Sequence, residues 1–274
     1  MDNHMNLASM AFATRQNYIR SVKILIEHYQ KVPEQCSVDE IKKYLVYQKD
    51  VLNTASSTLN IRVASLKYYF RHIVKRLDLV VSIPNPRVPT FDTEIFTYQE
   101  MSILFDACKD MRQLLIIQLM YECGLRISEV VKLRVGDFDK KDFTISIRKS
   151  KGNVSRVVYY GHSLRDTLNK YALAIGLHGD YLISSYVDKQ AGLSLSGIQH
   201  IVKEIIRRSK IKKKASSHTI RHNYAVHFLN NGGSLYSLQL LLGHKHLTTT
   251  LEYLKHANLP DSIRVSNLDI LKKR

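Results

Sequence analysis

Three of the chain's five prolines fall within six residues, at Pro84, Pro86 and Pro89. Proline has no backbone N–H and its ring clashes with the preceding helical turn, so neither a helix nor a central strand runs through such a stretch. A chain of 274 residues that must break there folds as two modules rather than around one continuous core. The expected division is a small helical unit over 1–83, a linker over 84–92, a larger unit over 93–256 and a tail over 257–274. Both sides of the break are basic. Residues 1–83 hold 12 Lys and Arg against 7 Asp and Glu, residues 84–274 hold 29 against 17, and the whole carries +17. That imbalance points to a polyanionic partner, most simply nucleic acid.

Several classes drop out early. Cys36, Cys108 and Cys123 lie far apart with no CxxC pairing, which suggests neither a disulfide framework nor a zinc site but free thiols in a reducing cytosol. No apolar run approaches the ~20 residues of a membrane helix, and no signal peptide opens the chain. A soluble cytoplasmic protein with no membrane partner is expected.

Periodicity supplies the elements. Residues 1–13 carry no strong pattern and read as a frayed tail. From Thr14, the residues Tyr18, Val22, Leu25, Ile26 and Tyr29 fall at helical spacing up to Pro33. Ser37 to Glu40 has the form of a capping box and opens a second helix. A third runs from Leu59 to Val74 with Arg62, Lys67, Arg71, Lys75 and Arg76 spread along it. Those cations fit a solvated face and contact with phosphates equally well. Past the prolines, Thr97 to Glu100 is another capping box, and Leu114 to Met120 is apolar enough to be buried. Gly124 then breaks the chain ahead of Arg126 and Glu129, three apart on one face. Such a pair is often only a surface ion pair. Phe143, Ile145 and Ile147 alternate with polar residues and Arg156 to Tyr160 follows as a second strand, so a β-hairpin with Lys149 to Asn153 as its turn is expected. Leu164 to Ile175 and Leu195 to Arg208 are further helices. The fold class is mainly α with a small antiparallel sheet.

The segment Ser216 to Tyr253 concentrates the polar chemistry. A helix from Ser216 or Ser217 carries His218 and Arg221 on one face at its positive end, where an anion is favoured. It stops at Asn231-Gly232-Gly233. Ser234 caps Leu235 to Leu242, Gly243 ends that helix, His244 sits in the turn, and Thr248 or Thr249 caps a helix carrying Tyr253. Upstream, Arg207, Arg208, Lys210, Lys212, Lys213 and Lys214 place six cations in eight positions. Such a run is usually a solvated helix end, but directly before His218 it is suited to tracking phosphates.

Taken singly, a His, Arg or Tyr here is unremarkable, since the chain has 12 His and 16 Tyr. As a set, HTIR, then LLLGHKHLTTTLEY, then GLRISE upstream, resembles the tyrosine recombinase (integrase) family, its two-domain Xer-like and phage-integrase-like members in particular. The resemblance implies a helical, SAM-like core-binding domain and a catalytic domain that close on DNA as a C-shaped clamp. It implies Arg126, Lys151, His218, Arg221, His244 and Tyr253 as catalytic residues, with Glu129 accessory. Lys151 matches the hairpin lysine through the pattern KGN-x-x-R, and Lys149 is the alternative if the register differs. Arg62, Lys67, Arg71, Lys75, Arg207, Arg208, Lys212, Lys213 and Lys214 are the candidate DNA contacts.

The chemistry needs a nucleophile, neutralisation of phosphoryl charge and a proton for the departing oxygen. His218-Thr-Ile-Arg-His222 lacks the glutamate of HExxH and no GxxxxGK[ST] loop occurs, so no metal, ATP or other cofactor is expected. Arginine forks can serve in a metal's place. By resemblance the product is a 3′-phosphotyrosine with a free 5′-hydroxyl, resealed by another strand. The implied partners are double-stranded DNA with paired inverted repeats and further copies of the chain, a tetramer on two sites; the tail either folds as a helix onto its own domain or, by the resemblance, docks on a neighbouring protomer. Type IB topoisomerase-like strand relaxation and a non-catalytic sequence-specific DNA-binding protein are the competing functions.

Overall fold

The computed structural model describes residues 1–86, 94–148, 154–175, 179–185, 187–188 and 190–258. The chain divides into two compact units, Met1–Phe91 and Asp92–Arg274. The first is helical: α1 (Asp2–Leu7), α2 (Phe12–Tyr29), α3 (Val38–Val46), α4 (Ser56–Tyr69) and α5 (Leu77–Ser82). Val22 and Leu25 of α2, Ile41 and Tyr44 of α3, and Val63 and Leu66 of α4 meet in one core. The capping box ahead of α3 forms as its sequence predicts. Ser37 Oγ accepts the Glu40 N–H at 3.2 Å, and the Glu40 carboxylate accepts the Ser37 N–H at 2.8 Å.

Two features of this unit depart from the local pattern. The amino terminus is not frayed: α1 buries Met5 completely, Asp2 pairs with Arg15 at 3.5 Å, and His4 Nδ1 lies 2.7 Å from the Tyr68 hydroxyl. Contacts to residues so far along the chain leave no periodic trace in the first thirteen. Toward the prolines, α5 buries Leu79 and Val80, with Ile83 just beyond it, so helix runs closer to the break than the sequence pattern predicts.

The second unit opens with α6 (Tyr98–Asp106), capped by the Thr97–Glu100 box. The helix α7 (Met111–Glu122) is its axis, with Leu115, Ile116, Ile117 and Leu119 fully buried. After the short α8 (Ile127–Val130) come β1 (Phe138–Asp139), β2 (Thr144–Arg148) and β3 (Val154–Tyr159). They form an antiparallel sheet in the order β1-β2-β3, with Ile145 opposite Val158 and Ile147 opposite Arg156. The two strands of the expected hairpin pair, its turn at Lys149 to Asn153 lying outside the described residues, and β1 adds a short edge. Ile145 and Ile147 face the core, as their alternation requires.

The remaining elements are α9 (His162–Ile175), α10 (Leu195–Ser209), α11 (Ser217–Asn230), α12 (Leu235–Leu242), α13 (Leu247–Leu251) and a 3-10 turn at Glu252–Lys255. Tyr253 therefore sits in the 3-10 turn. The N-cap of α13 is His246 rather than Thr248 or Thr249; the hydroxyl of the next threonine, Thr250, bonds His244. A small core of Ala225, Val226, Leu229, Leu238 and Leu242 encloses Tyr253. Lengthwise, α11 is stitched to the segment before α6: Asn223 Oδ1 accepts the Phe96 N–H at 2.6 Å, and His227 Nε2 lies 2.9 Å from the Phe96 carbonyl. Among the described residues no helix is long and apolar enough to cross a membrane. The tail beyond Asn258 lies outside the described residues.

Gly124, between α7 and α8, has φ +61°, and a Cβ there would overlap the Tyr224 ring. Gly124→Ala is expected to destabilise the second unit by about 2–4 kcal/mol, combining left-handed strain with overpacking, and scanning calorimetry would show it as a lowered transition.

Candidate active site

Glu129 is the centre on which the polar groups converge. Its carboxylate accepts two parallel hydrogen bonds from Arg156, at 2.9 and 2.8 Å. It also receives the Arg126 N–H at 2.8 Å and Arg126 Nη1 at 3.2 Å, and Arg221 Nη1 lies 3.6 Å away. Burial alone raises the Glu129 pKa; the hydrogen bonds and charge of Arg156, the Arg126 N–H and the charge of Arg221 outweigh it, and the carboxyl ends below its usual range. One carboxylate thus faces three guanidinium groups.

The carboxyl end of α12 supplies the rest of the counter-field. The last carbonyls of a helix have no partner within it and carry the negative end of its dipole. Leu242 O accepts from Arg221 Nη2 at 2.8 Å and Arg126 Nη1 at 3.4 Å, while Leu241 O accepts from Arg156 Nε at 2.6 Å. Gly243 is needed where it stands. Its φ is +65°, and a Cβ would come within 3.1 Å of Arg156 Cδ and Nη1, blocking the path of that side chain to Glu129.

Arg221, on the first turns of α11, is almost fully buried and also donates to the Gly124 carbonyl. Burial and the neighbouring Arg126 push its pKa down to about 10, which leaves it protonated at neutral pH. Arg126 is more open, its side chain 37 % exposed. His244 Nε2 lies 3.4 Å from Arg221 Nη2, and its Nδ1 lies 2.9 Å from Thr250 Oγ1. Burial, then the charges of Arg221, Arg126 and Arg156, drive the His244 pKa down to about 4, so the ring is neutral.

Tyr253 stacks on His244, ring centroids 6.1 Å apart and planes 11° from parallel. Its phenol is buried, which raises the pKa; the charge and hydrogen bond of Arg221, and the charge of Arg126, act against that rise without cancelling it. The phenol therefore keeps its proton at neutral pH while the charge of Arg221 favours its loss. His222 meets the Tyr253 ring edge-on at 5.0 Å. His218 stands exposed one turn before Arg221.

Arg126, Glu129, Arg221, His244 and Tyr253 are thus gathered at one place; His218 is exposed and makes no contact with them among the described residues. Lys151 and Lys149 lie outside the described residues. The candidate DNA contacts are mixed in their commitments. Arg71, Lys75, Lys212 and Lys214 are exposed. Arg207 is exposed but pairs with Glu204 at 2.9 Å. Arg208 donates to the Ala107 carbonyl and Gln113, and Lys213 is held by Glu100 at 2.6 Å and the Ile95 carbonyl at 2.8 Å. In the first unit Lys67 donates to Asn85 at 2.7 Å and Arg62 to Thr54 at 3.2 Å. Sequence reasoning missed Arg156 and Thr250 as members of the site. The first is the arginine that closes KGN-x-x-R; the second directly follows Thr248 and Thr249, the two threonines read as cap candidates.

The phage integrase family profile matches residues 94–259, and the profile for the N-terminal SAM-like domain of phage integrases matches residues 1–77. A tyrosine recombinase of Pseudothermotoga lettingae is 31% identical over 265 residues, covering 92% of this chain and 91% of that one. The tyrosine recombinase XerC of Staphylococcus carnosus is 26% identical over 248 residues, 85% of this chain and 82% of the relative. In three dimensions the fold is similar to lambda integrase, solved as a tetramer bound to a Holliday junction, with TM-score 0.73, 18% identity, and coverage of 90% of this chain and 76% of the other.

Lysine in place of Arg156 offers a point charge where the site needs a fork. Arg156→Lys should cost about 2 kcal/mol in denaturant titration, below the 3–5 kcal/mol of an outright broken buried pair. Because the Glu129 pKa is lowered on folding, its contribution is fully present above its unfolded value of 4.5 and is lost as pH falls through the folded one. Glu129→Gln should remove that acid-side dependence from a stability-versus-pH curve.

Proposed function

The chain belongs to the phage integrase family of tyrosine recombinases, and from that premise we propose how its own side chains break and rejoin a DNA strand. It is a site-specific recombinase. In the proposed reaction a scissile phosphate lies against Arg126 and Arg221, whose forks match its non-bridging oxygens. The Tyr253 oxygen attacks phosphorus and its proton passes to His218. The bond from phosphorus to the 5′-oxygen breaks, Lys151 protonates that oxygen, and His244 donates a hydrogen bond to the phosphoryl group. The product is a 3′-phosphotyrosine and a free 5′-hydroxyl. Attack by the 5′-hydroxyl of another strand reverses each step, so bond energy is conserved and no nucleotide cofactor is consumed.

The observation that carries this reading is the stacking of Tyr253 on His244, whose Nε2 lies 3.4 Å from Arg221 Nη2, all within one chain. A nucleophile and its cationic phosphate site are preassembled, the condition under which electrostatic stabilisation is strongest. Glu129 acts by orienting the arginines rather than by touching the phosphate.

The wider organisation follows from the same reading. Residues 1–83 form a core-binding domain, 84–92 a linker, and 93–256 the catalytic domain. Duplex DNA with paired inverted repeats is the substrate, gripped first through the exposed Arg71, Lys75, Lys212 and Lys214; Arg62, Lys67, Arg207, Arg208 and Lys213 join them only by exchanging a protein partner for phosphate. Four protomers act on two sites, as the lambda integrase tetramer on its Holliday junction suggests, with the tail of each docking on a neighbour. The cytoplasm is the compartment.

A duplex nicked near its cleavage site, so that the short 5′-product diffuses away, traps the covalent intermediate. Incubated in EDTA, the wild-type chain should give a denaturation-resistant adduct and Tyr253→Phe none. Arg221→Ala should slow adduct formation by about 10²–10³-fold. An adduct that persists in Tyr253→Phe would overturn the assignment.

A further inference from the structure

His244 has one ring proton and two neighbours of different kinds. Arg221 Nη2, 3.4 Å from Nε2, can only donate, so the Nε2 lone pair faces it and the proton resides on Nδ1. From there it is donated to Thr250 Oγ1 at 2.9 Å. A phosphoryl oxygen reverses the requirement, because it can only accept. To donate to it, His244 must carry its proton on Nε2, and Nδ1 then needs a donor.

A hydroxyl is the side-chain group that meets both demands in one position, as acceptor through a lone pair and as donor through O–H. Thr250 is fully buried, so its O–H is not readily replaced by bulk water, and an unpaired Nδ1 would be left at that depth. The backbone of His244 is fixed on the opposite side: its N–H bonds the Gln239 carbonyl at 3.1 Å, and its carbonyl accepts from Gln239 Nε2 at 3.2 Å. The ring thus keeps its place while its protonation pattern changes.

We propose that Thr250 is a positioning residue that lets His244 hold its proton on Nδ1 in the free enzyme and on Nε2 when a scissile phosphate is bound, with the hydrogen bond between them kept in both states. The exchange balances: one proton leaves Nδ1, one arrives at Nε2 through water, and the charge of the ring is unchanged. As phosphate enters, it takes the place of the imidazole before Arg221, whose Nη2 keeps its bond to the Leu242 carbonyl. The inference rests on the reading of His244 as a phosphate donor.

Thr250→Val keeps the shape and removes the hydroxyl; Thr250→Ser restores it. In single-turnover cleavage of the nicked duplex, Thr250→Val should be about tenfold slower with affinity for the duplex unchanged, as expected for one buried group left unpaired. Thr250→Ser should return to within about twofold of wild type, and Thr250→Val should have no further effect in a His244→Phe background, since positions acting through one group are non-additive. Nitrogen-15 histidine spectra of the Tyr253→Phe protein, whose Thr250 is intact, should show His244 as the Nδ1–H tautomer alone and as Nε2–H with the intact duplex bound. Cleavage by Thr250→Val at the wild-type rate, Thr250→Ser as slow as Thr250→Val, or one tautomer in both states each overturns the proposal while leaving Tyr253 as nucleophile. Adduct formation by Tyr253→Phe would instead remove the recombinase chemistry on which it rests.

Discussion

Three guanidinium groups packed against one carboxylate are the constraint around which the second unit is built. Arg126, Arg156 and Arg221 would repel one another, and removing any of them from water is costly without compensation. Glu129 compensates part of that charge, and the exposed carbonyls at the end of α12 compensate more through directed hydrogen bonds. Neither neutralises it fully. The four side chains together keep a charge of +2, with Arg156 and Arg221 buried and Arg126 more open. The folded protein thus bears the ordering of the cations before substrate arrives, and little reorganisation is left for the moment of reaction.

The same field governs the nucleophile and the histidine. A buried phenol resists losing its proton, and the guanidinium of Arg221 beside it works in the opposite direction. His244 is kept neutral by burial and by the three arginines, so it adds no charge to a place already rich in it. It serves instead as a hydrogen-bonding plate against which Tyr253 stacks. Burial is the larger cause at both groups; the positive potential of the arginine cluster acts on both beside it, and a neutral side chain at Arg221 would alter both.

The cationic run before α11 divides between two tasks. Lys213 and Arg208 direct their donors to protein acceptors and help hold α10 and α11 against the segment around Ile95 and the end of α6. Lys212 and Lys214 remain exposed. A charge run in sequence therefore counts cations without saying which are free, because pairing depends on carboxylates and carbonyls a hundred residues away.

Local chemistry was legible from the chain alone. The capping boxes at Ser37 and Thr97, the alternation of Ile145 and Ile147, the stop at Gly243 and the spacing of His218, Arg221, His244 and Tyr253 are all set by neighbours a few residues apart, and the family resemblance rests on those short strings. The sequence also determined the break at the prolines and the basic character of both units. Tertiary structure alone decided that Arg156, on a strand, completes the carboxylate hub, that Thr250 turns inward to His244, and that the first residues form a helix burying Met5. Each of these depends on a partner distant in sequence, and a hydrogen bond or a buried contact across such a separation leaves no periodicity to read.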